Sequence, residues 1–270
     1  MKDNSRVLNN SLEKSLKLLD YFTMEVDTLG LSELARLSGI PKATVYRSLA
    51  TMEKYGFLEK VNVLGKEGQY RLGLKLLELG KIVSEKLEIR KVAYLHMKKL
   101  RDKVNECVQL VIQDDHEAIY VEKLESTHPV RVYTRIGRRA PLYGGACPRA
   151  ILSFLTDREI NDILDNQPLE KITINTIADK QLIWKSIMEA RRLGYTVSYG
   201  ELQLGTAAVG APILDGSGNV LGAISIAGPD SRFTENELHF FIAELTKTAS
   251  EISRAYGYNP QANSAQNIES

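Results

Sequence analysis

The sequence predicts an α+β protein built from an N-terminal winged helix-turn-helix, a long linker helix, and a C-terminal antiparallel sheet with flanking helices. Three observations lead to this prediction. Two amphipathic helical stretches, separated by a break at Gly39–Pro41, precede a hairpin pattern that ends at residue 72. Residues 74–104 then keep helical periodicity, and from residue 106 onward β-rich runs alternate with helical ones. This change from helical periodicity to β-rich runs indicates two domains.

Residues 31–50 have the pattern of a helix-turn-helix. Ser32 is an N-cap type of residue at the start of the first helix, and Gly39 lies where a helix end favours positive φ. Pro41 lies where a second helix can begin without its backbone N–H. We therefore expect two short helices that are joined by a tight turn and cross steeply.

The second of these helices has an apolar stripe and a polar face. Val45, Leu49 and Met52 recur at helical spacing, so we expect them to pack against Leu34 and Leu37 of the first helix. The outward residues are of types that contact phosphates and base edges, and they are Lys42, Thr44, Tyr46 and Arg47. The alternative is an ordinary solvated face, because any amphipathic helix presents polar residues outward.

A hairpin pattern at residues 57–72 follows the second helix directly. Its two β-type runs are separated by the glycine-containing turn LGKEG. Lys66 at the tip and Arg71 on the return strand are placed to reach phosphate or a minor groove, although Glu67 reduces the local positive charge. The sequence therefore predicts a winged helix.

A further helix is expected before the helix-turn-helix, at residues 11–24. Its apolar residues recur at helical spacing and are predicted to pack inward: Leu12, Leu16, Leu19, Tyr21 and Phe22. We therefore assign residues 8–72 to one domain and residues 1–7 to a disordered tail.

The stretches SLEKSLKLLDYF, LSELARLSGIPKATVYRSLATMEKYGFLEK and YRLGLKLLELG together resemble the N-terminal domain of IclR-type bacterial transcription regulators. The resemblance implies that this domain binds a double-stranded DNA operator. The residues expected to contact DNA are Ser32, Lys42, Thr44, Tyr46, Arg47, Lys66 and Arg71.

Composition is that of an ordinary globular protein large enough for two domains, with 43% hydrophobic and 26% charged residues in a chain of 270. The net charge is only +1, so any positive patch must be local. Cys107 and Cys147 follow no disulfide or metal spacing, which fits a reducing compartment. Neither a signal-like apolar segment nor an apolar run of about 18 residues occurs, so we expect a cytoplasmic protein that does not contact a membrane.

The helical stretch after the wing is predicted to be a linker helix at residues 73–90, with a break within residues 86–89. Apolar residues form one face on each side of the break: Leu76, Leu79 and Val83, then Val92, Leu95 and Leu100. A small domain offers little surface to cover such a face, so we favour pairing with a second copy in a homodimer over a plain interdomain helix.

The second domain is predicted at residues 91–257, before a disordered tail at 258–270. ECVQLVIQ, EAIYVEKL and PVRVYTR are β-rich runs and are expected to be antiparallel strands. A later pair of strands is joined by the turn DGSG, and helices are expected from Thr156, from Asp179 to Leu193, and after Thr234.

A glycine loop precedes another predicted helix in this domain. Gly144 and Gly145 allow close approach, and Pro148 suits the first helical turn. Unpaired amides at such a helix start can hold a carboxylate or phosphate. The alternative is a tight strand-to-helix turn without a ligand.

The resemblance to the IclR type extends to APLYGGACPRAILSFL and LGYTVSYGELQLGTAAVGAPILDGSGNVLGAISIAGP. It implies a GAF-like or PAS-like domain that binds a small metabolite, often a carboxylate, and assembly into dimers or tetramers. The effector-binding positions that it implies are Gly144, Gly145, Ala146, Ser198, Ala208, Ser225 and Ala227. Carboxylate-binding members of the family have Asp, Cys and Ser at positions 198, 208 and 227, and Gly–Lys at 148–149. We therefore expect a different ligand from the small keto acids.

Catalysis is not indicated by the sequence. The four histidines show no metal-ligand spacing, Cys147 has no neighbouring base, and no Walker or dinucleotide motif occurs, so no cofactor or metal is expected. We predict a ligand-responsive, sequence-specific DNA-binding transcription regulator that represses a catabolic operon. The rival is a ligand-binding sensor or enzyme whose N-terminal domain binds a protein instead of DNA.

Overall fold

The computed structural model describes residues 9–63 and 66–259. The chain divides into two compact units, one ending at Lys86 and the other beginning at Leu87. The predicted tails at 1–7 and 258–270 lie outside the described residues, except for 258–259. Within the described ranges, no helix combines the length and the apolar character needed to cross a membrane.

The first unit is a winged helix-turn-helix followed by a helix. Its elements are α1 (Asn10–Lys17), a 3₁₀ turn (Leu18–Tyr21), β1 (Leu29–Gly30), α2 (Leu31–Ser38), α3 (Lys42–Lys54), β2 (Leu58–Val63), β3 (Lys66–Leu72) and α4 (Leu74–Lys86). The three strands form an antiparallel sheet in the order β1-β3-β2. The predicted hairpin is therefore the wing.

The turn between α2 and α3 is tight, and its ends differ slightly from the prediction. Gly39 caps α2 in the left-handed conformation, with φ of 67°, as expected. Helix α2 begins two residues earlier than predicted, so Gly30 is its N-cap and the prediction of a Ser32 cap is wrong. Pro41 is the N-cap of α3, and its carbonyl accepts the N–H groups of Thr44 and Val45.

The core of the first unit lies between α2, α3 and the sheet. Its buried members include Leu18, Leu29, Leu34, Val45, Leu49, Met52, Leu58 and Tyr70, which confirms the predicted stripe of α3. Leu37 is exposed, so only Leu34 contributes fully from α2. Leu12 and Leu16 are also exposed, contrary to the prediction. Because α1 gives way to a 3₁₀ turn at Leu18, the chain changes pitch there, and Leu18 and Phe22 become the inward residues.

The second unit is one six-stranded antiparallel sheet between two layers of helices. Its elements are α5 (Glu88–Val104), β4 (Cys107–Asp114), β5 (Glu117–Leu124), β6 (Arg139–Pro141), α6 (Ala146–Ser153), α7 (Asp157–Asn166), α8 (Lys180–Leu193), β7 (Thr196–Tyr199), β8 (Thr206–Leu214), β9 (Val220–Pro229), a 3₁₀ turn (Asp230–Arg232) and α9 (Glu235–Ala255). The strand order is β6-β5-β4-β9-β8-β7. The break between α4 and α5 falls at Leu87, inside the predicted interval.

Alternating residues of the strands divide the core of the second unit into two clusters. On one face Leu110 of β4 packs in a cluster with α5 and α9, which contribute Met97 and Leu245. On the other face Val111 packs with α6, α7 and α8, which contribute Ile151 among other side chains. This alternation follows from the pleat, because successive side chains of a strand point to opposite faces.

One sequence-based expectation fails in the second unit. Residues 129–135, predicted as a strand, form no strand, and β6 pairs with the edge of β5 instead. The error arises because strand pairing depends on partners that are distant in sequence, which local periodicity does not contain.

Helix α5 buries Ile89, Ala93, Met97, Leu100 and Val104 within the second unit. Leu95 is 66% exposed in the single chain, so the predicted pairing of its face with a second copy stays a prediction.

We predict that Gly73→Ala destabilises the first unit by about 1–3 kcal/mol. A Cβ atom built on Gly73 would lie 2.2 Å from the carbonyl oxygen of Gly56, so the backbone must shift. The measurement is urea unfolding followed by hydrogen exchange of peptides from α3 and the wing.

The matched control is Gly80→Ala, within α4, where nothing lies within 4 Å of the added Cβ. This change should stabilise the helix by about 0.5–1 kcal/mol, because alanine loses less backbone freedom than glycine. Equal free energies of unfolding for the two variants would contradict the steric account.

Candidate nucleic-acid interface and ligand cavity

The second helix of the helix-turn-helix presents a polar face to solvent. Lys42, Tyr46 and Arg47 are exposed on α3, and Thr44 is half-buried beside them, while the opposite side of the helix carries the buried stripe. Ser32 is exposed on α2. The helix-turn-helix therefore brings five of the predicted DNA-contacting residues to the surface of one small unit.

Of the two cationic side chains predicted on the wing, Arg71 and Lys66, the structure describes that of Arg71. Nε and Nη2 of Arg71 donate to Oε2 of Glu59 on the neighbouring strand, at 3.0 and 2.9 Å. Both side chains are about half exposed, so this ion pair contributes roughly 0–1 kcal/mol and a phosphate could replace the carboxylate. Lys66 begins β3, but its side chain lies outside the part that the structure describes.

The second unit encloses a small cavity of about 40 Å³ between the sheet, the start of α6 and the loop 200–205. Six of the seven predicted effector-binding residues line it: Gly145, Ala146, Ser198, Ala208, Ser225 and Ala227. Gly144 is not among the lining residues. The sheet brings these residues together because Ser198 pairs with Ala208, and Ala208 with Ala227, across β7, β8 and β9.

The loop amides that were expected to be free for a ligand are already engaged. The N–H of Gly145 donates to Oε2 of Glu201 at 3.2 Å, and the N–H of Ala146 donates to Oγ of Ser198 at 3.0 Å. Gly145 has φ of 78°, and a Cβ on it would lie 2.8 Å from Leu202, so glycine is needed for this close approach. The expectation of unpaired amides at this helix start is therefore wrong in this structure.

Glu201 occupies that position because of a buried ion pair with Arg149. Nη1 of Arg149 donates to Oε2 of Glu201 at 2.8 Å, and Nη2 donates to Oε1, so the contact is bidentate. The Arg149 residue is 1% exposed and Glu201 is 5% exposed. The same guanidinium also donates to the carbonyls of Tyr143 and Val197, at 3.3 and 3.2 Å. It thereby connects α6 with the chain before it, with β7 and with the loop 200–205.

A chain of polar side chains forms part of the cavity wall. Oγ of Ser225 donates to Oε1 of Gln109 at 3.2 Å, and Nε2 of Gln109 donates to Oγ1 of Thr134 at 2.6 Å. All three residues are buried. Sequence reasoning missed Gln109 and Thr134. A glutamine within the apolar run CVQLV was a usable signal for the former, because buried polar groups in strands need partners.

Two more cavity residues were missed by sequence reasoning, Tyr120 and Arg138. The guanidinium of Arg138 lies 5.8 Å from the centre of the Tyr120 ring, within range of a cation–π contact. Tyr120 is buried, and this burial raises the pKa of its phenol, so the ring stays neutral.

Both cysteines are buried free thiols. Burial raises the pKa of Cys147 to about 12 and that of Cys107 to about 11. The Cys147 thiol donates to the carbonyl of Ala223 at 3.4 Å. Neither thiol is therefore an activated nucleophile. Among the residues that the structure describes, no group of three or more His, Cys, Asp or Glu side chains is placed to hold a metal ion.

We predict that Arg149→Met lowers the free energy of unfolding of the second unit by about 3–5 kcal/mol, because it leaves the Glu201 carboxylate buried without its partner. The double variant Arg149→Met/Glu201→Leu should be much closer to wild type, since no charge is then buried. Urea unfolding of the full chain measures both effects.

The matched control is Lys180→Met, which removes the cation from the exposed pair with Asp165. This change should cost less than about 1 kcal/mol. The account of the buried pair is wrong if the double variant is as unstable as the Arg149→Met single variant.

Comparisons with known proteins agree with this architecture. The model of the "IclR helix-turn-helix domain" matches residues 11–62, and the model of the "Bacterial transcriptional regulator IclR C-terminal" matches residues 82–254. The chain is 45% identical over 250 residues to the HTH-type transcriptional regulator KipR of Bacillus subtilis, covering 93% of this chain and 98% of that protein.

Two further relatives extend the comparison. The transcriptional repressor IclR of Escherichia coli is 29% identical over 249 residues, covering 92% of this chain and 90% of that one. The crystal structure of the Thermotoga maritima IclR matches with a TM-score of 0.74 at 29% identity, over 92% of this chain and 99% of that one. The relatives are named as regulators and not as enzymes. The chain therefore belongs to the IclR family of bacterial transcriptional regulators, with an N-terminal DNA-binding domain and a C-terminal effector-binding domain.

Proposed function

We propose that this regulator binds its operator as a homodimer or tetramer, represses a catabolic operon, and changes its operator affinity when a small carboxylate occupies the cavity. The observation that supports this proposal best is the coexistence, in one chain, of an exposed polar face on α3 and a polar cavity in the second unit. A helix with one buried and one cationic polar face is what major-groove reading requires.

The DNA contacts are proposed at the first half of α3. Recognition helices contact base edges with residues near their N-termini, and Lys42, Tyr46 and Arg47 are exposed there. Lys42 and Arg47 supply positive charge for phosphates or guanine edges. The wing adds Arg71, whose exposed pair with Glu59 a phosphate can replace at little cost.

Assembly into dimers is supported by apolar surface on the first unit. On α1 and α4, large apolar side chains are exposed: Leu12, Leu16, Leu74, Leu77, Leu79, Ile82 and Val83. Exposed large apolar side chains concentrated on one helix, as on α4, mark an interaction site more often than a solvated face. Two copies of the helix-turn-helix also fit an operator with two half-sites about 34 Å apart.

The small size of the cavity supports a coupling between ligand binding and a change in the conformation of the protein. A volume of about 40 Å³ is far below the roughly 300–1,000 Å³ of pockets that hold drug-sized ligands. A metabolite of several heavy atoms therefore needs lining residues to move. A ligand that binds only the opened state shifts the population toward it, and a coupling of about 1–3 kcal/mol changes operator affinity 5- to 150-fold.

The proposal is tested by titrating the purified protein against the DNA upstream of its own gene and against a scrambled duplex, each at two salt concentrations. Tight binding to the upstream duplex alone supports a sequence-specific operator. Equal and strongly salt-dependent binding to both duplexes indicates only contact with phosphates. Absence of binding to either favours the rival in which the N-terminal domain binds a protein.

We predict that Arg47→Ala weakens operator binding by roughly 5- to 150-fold, because one arginine contact to a base or phosphate is worth about 1–3 kcal/mol. Fluorescence anisotropy with the upstream duplex is the measurement. The control is Lys54→Ala, which removes a cation seven residues further along α3 and about 10 Å nearer its C-terminal end. Unchanged affinity for Arg47→Ala would mean that α3 is not the recognition helix.

A further inference from the structure

We propose that Arg138 is the anion-binding residue of the effector cavity, so that a ligand carboxylate pairs with the Arg138 guanidinium and not with the amides at the start of α6. The inference rests on the proposed function, because it concerns the cavity in which the effector is proposed to bind. It also indicates that the ligand is a short hydroxycarboxylic acid, which agrees with the expectation of a ligand other than a small keto acid.

The first step concerns the amides that a carboxylate would otherwise use. The N–H groups of Gly145 and Ala146 donate to Glu201 and Ser198. A ligand carboxylate at this position would have to displace the Glu201 carboxylate, which Arg149 holds by a bidentate buried contact. Breaking such a pair leaves a buried charge without its partner, which is strongly unfavourable. The start of α6 is therefore a poor anion site in this chain.

The second step concerns the cations around the cavity. Of the arginines at positions 138, 139 and 149, two have carboxylate partners: Arg149 pairs with Glu201, and Arg139 pairs with Asp114 and Glu117. Arg138 lines the cavity, is half-buried, and forms no ion pair with any residue that the structure describes. A partly buried guanidinium without an anion favours a ligand that brings one.

The third step concerns the position of Arg138, which the backbone holds against strand β5. The N–H of Gly137 donates to the carbonyl of Tyr120 at 2.7 Å, and the N–H of Tyr120 donates to the carbonyl of Arg138 at 3.0 Å. The Tyr120 ring lies under the guanidinium at 5.8 Å. The cation is therefore positioned before a ligand arrives, which reduces the entropy cost of binding.

The fourth step concerns the second polar group that a ligand meets. The chain of hydrogen bonds from Ser225 through Gln109 ends at Oγ1 of Thr134, which accepts from Gln109. The Thr134 hydroxyl proton has no acceptor among the described residues, so it is available to a ligand oxygen. A carboxylic acid with a neighbouring hydroxyl oxygen offers an acceptor to both Arg138 and Thr134.

The test uses pairs of probes that have the same shape and differ in charge: acetate and acetamide, lactate and lactamide, benzoate and benzamide. Their binding to the full-length protein is measured by thermal shift and calorimetry for wild type, Arg138→Met and Arg139→Met. Arg139 is the matched control because it is the adjacent arginine and already has two carboxylate partners.

We expect at least one acid to stabilise the wild type while its amide does not, with lactate bound more tightly than acetate. Arg138→Met should weaken binding of that acid roughly 10- to 100-fold, and Arg139→Met should leave it within about twofold. Arg138→Lys keeps the charge but loses the two-point geometry, so its affinity should be intermediate.

The proposal is overturned by any of three results: an amide that binds as well as its acid, an acid that binds Arg138→Met as well as wild type, or a wild type that no acid stabilises. The melting temperature of each variant without a probe shows whether it is folded. Binding of wild type to the upstream duplex without a probe reports on the proposed function separately, so the two failures are distinguishable.

Discussion

The buried ion pair between Arg149 and Glu201 is the contact on which the cavity of the second unit depends. It joins a residue within α6 to a residue in the loop after β7, and the same guanidinium also holds carbonyls of Tyr143 and Val197. A buried charge is strongly unfavourable without its partner. The ion pair therefore holds α6, which carries Arg149, and the loop 200–205, which carries Glu201, against each other. The loop 200–205 therefore closes over the start of α6, and the cavity is small.

This ion pair also decides which groups remain for a ligand. The Glu201 carboxylate accepts the N–H of Gly145, and Ser198 accepts the N–H of Ala146, so these two amides at the helix start are satisfied from within the protein. The cavity keeps a hydroxyl at Thr134 and a guanidinium at Arg138. Under the proposed function, an effector uses these groups, and making room for it in so small a cavity connects binding to a change in conformation.

Features that depend on neighbouring residues were predictable from the sequence, and features that depend on distant contacts were not. Gly39 and Gly194 end helices in the left-handed conformation, and the turn at 215–218 joins β8 to β9, as local turn chemistry predicts. The run at 129–135 has the composition of a strand but no strand pairs with it, and its Thr134 turns inward to Gln109. Periodicity misplaced Leu12, Leu16 and Leu37, because burial depends on what packs against a face.

By itself, the sequence determined the family, the winged helix-turn-helix, the order of most helices and strands, and six of the residues that line the cavity. These follow from short motifs and from periods that a local stretch contains in full. Only the tertiary structure decided which groups in the cavity are already paired. Arg149 and Glu201 are 52 residues apart, and Gln109 and Ser225 are 116 residues apart. Residues so far apart in the sequence come into contact only when the whole sheet packs. A local sequence pattern therefore does not predict which of them pair.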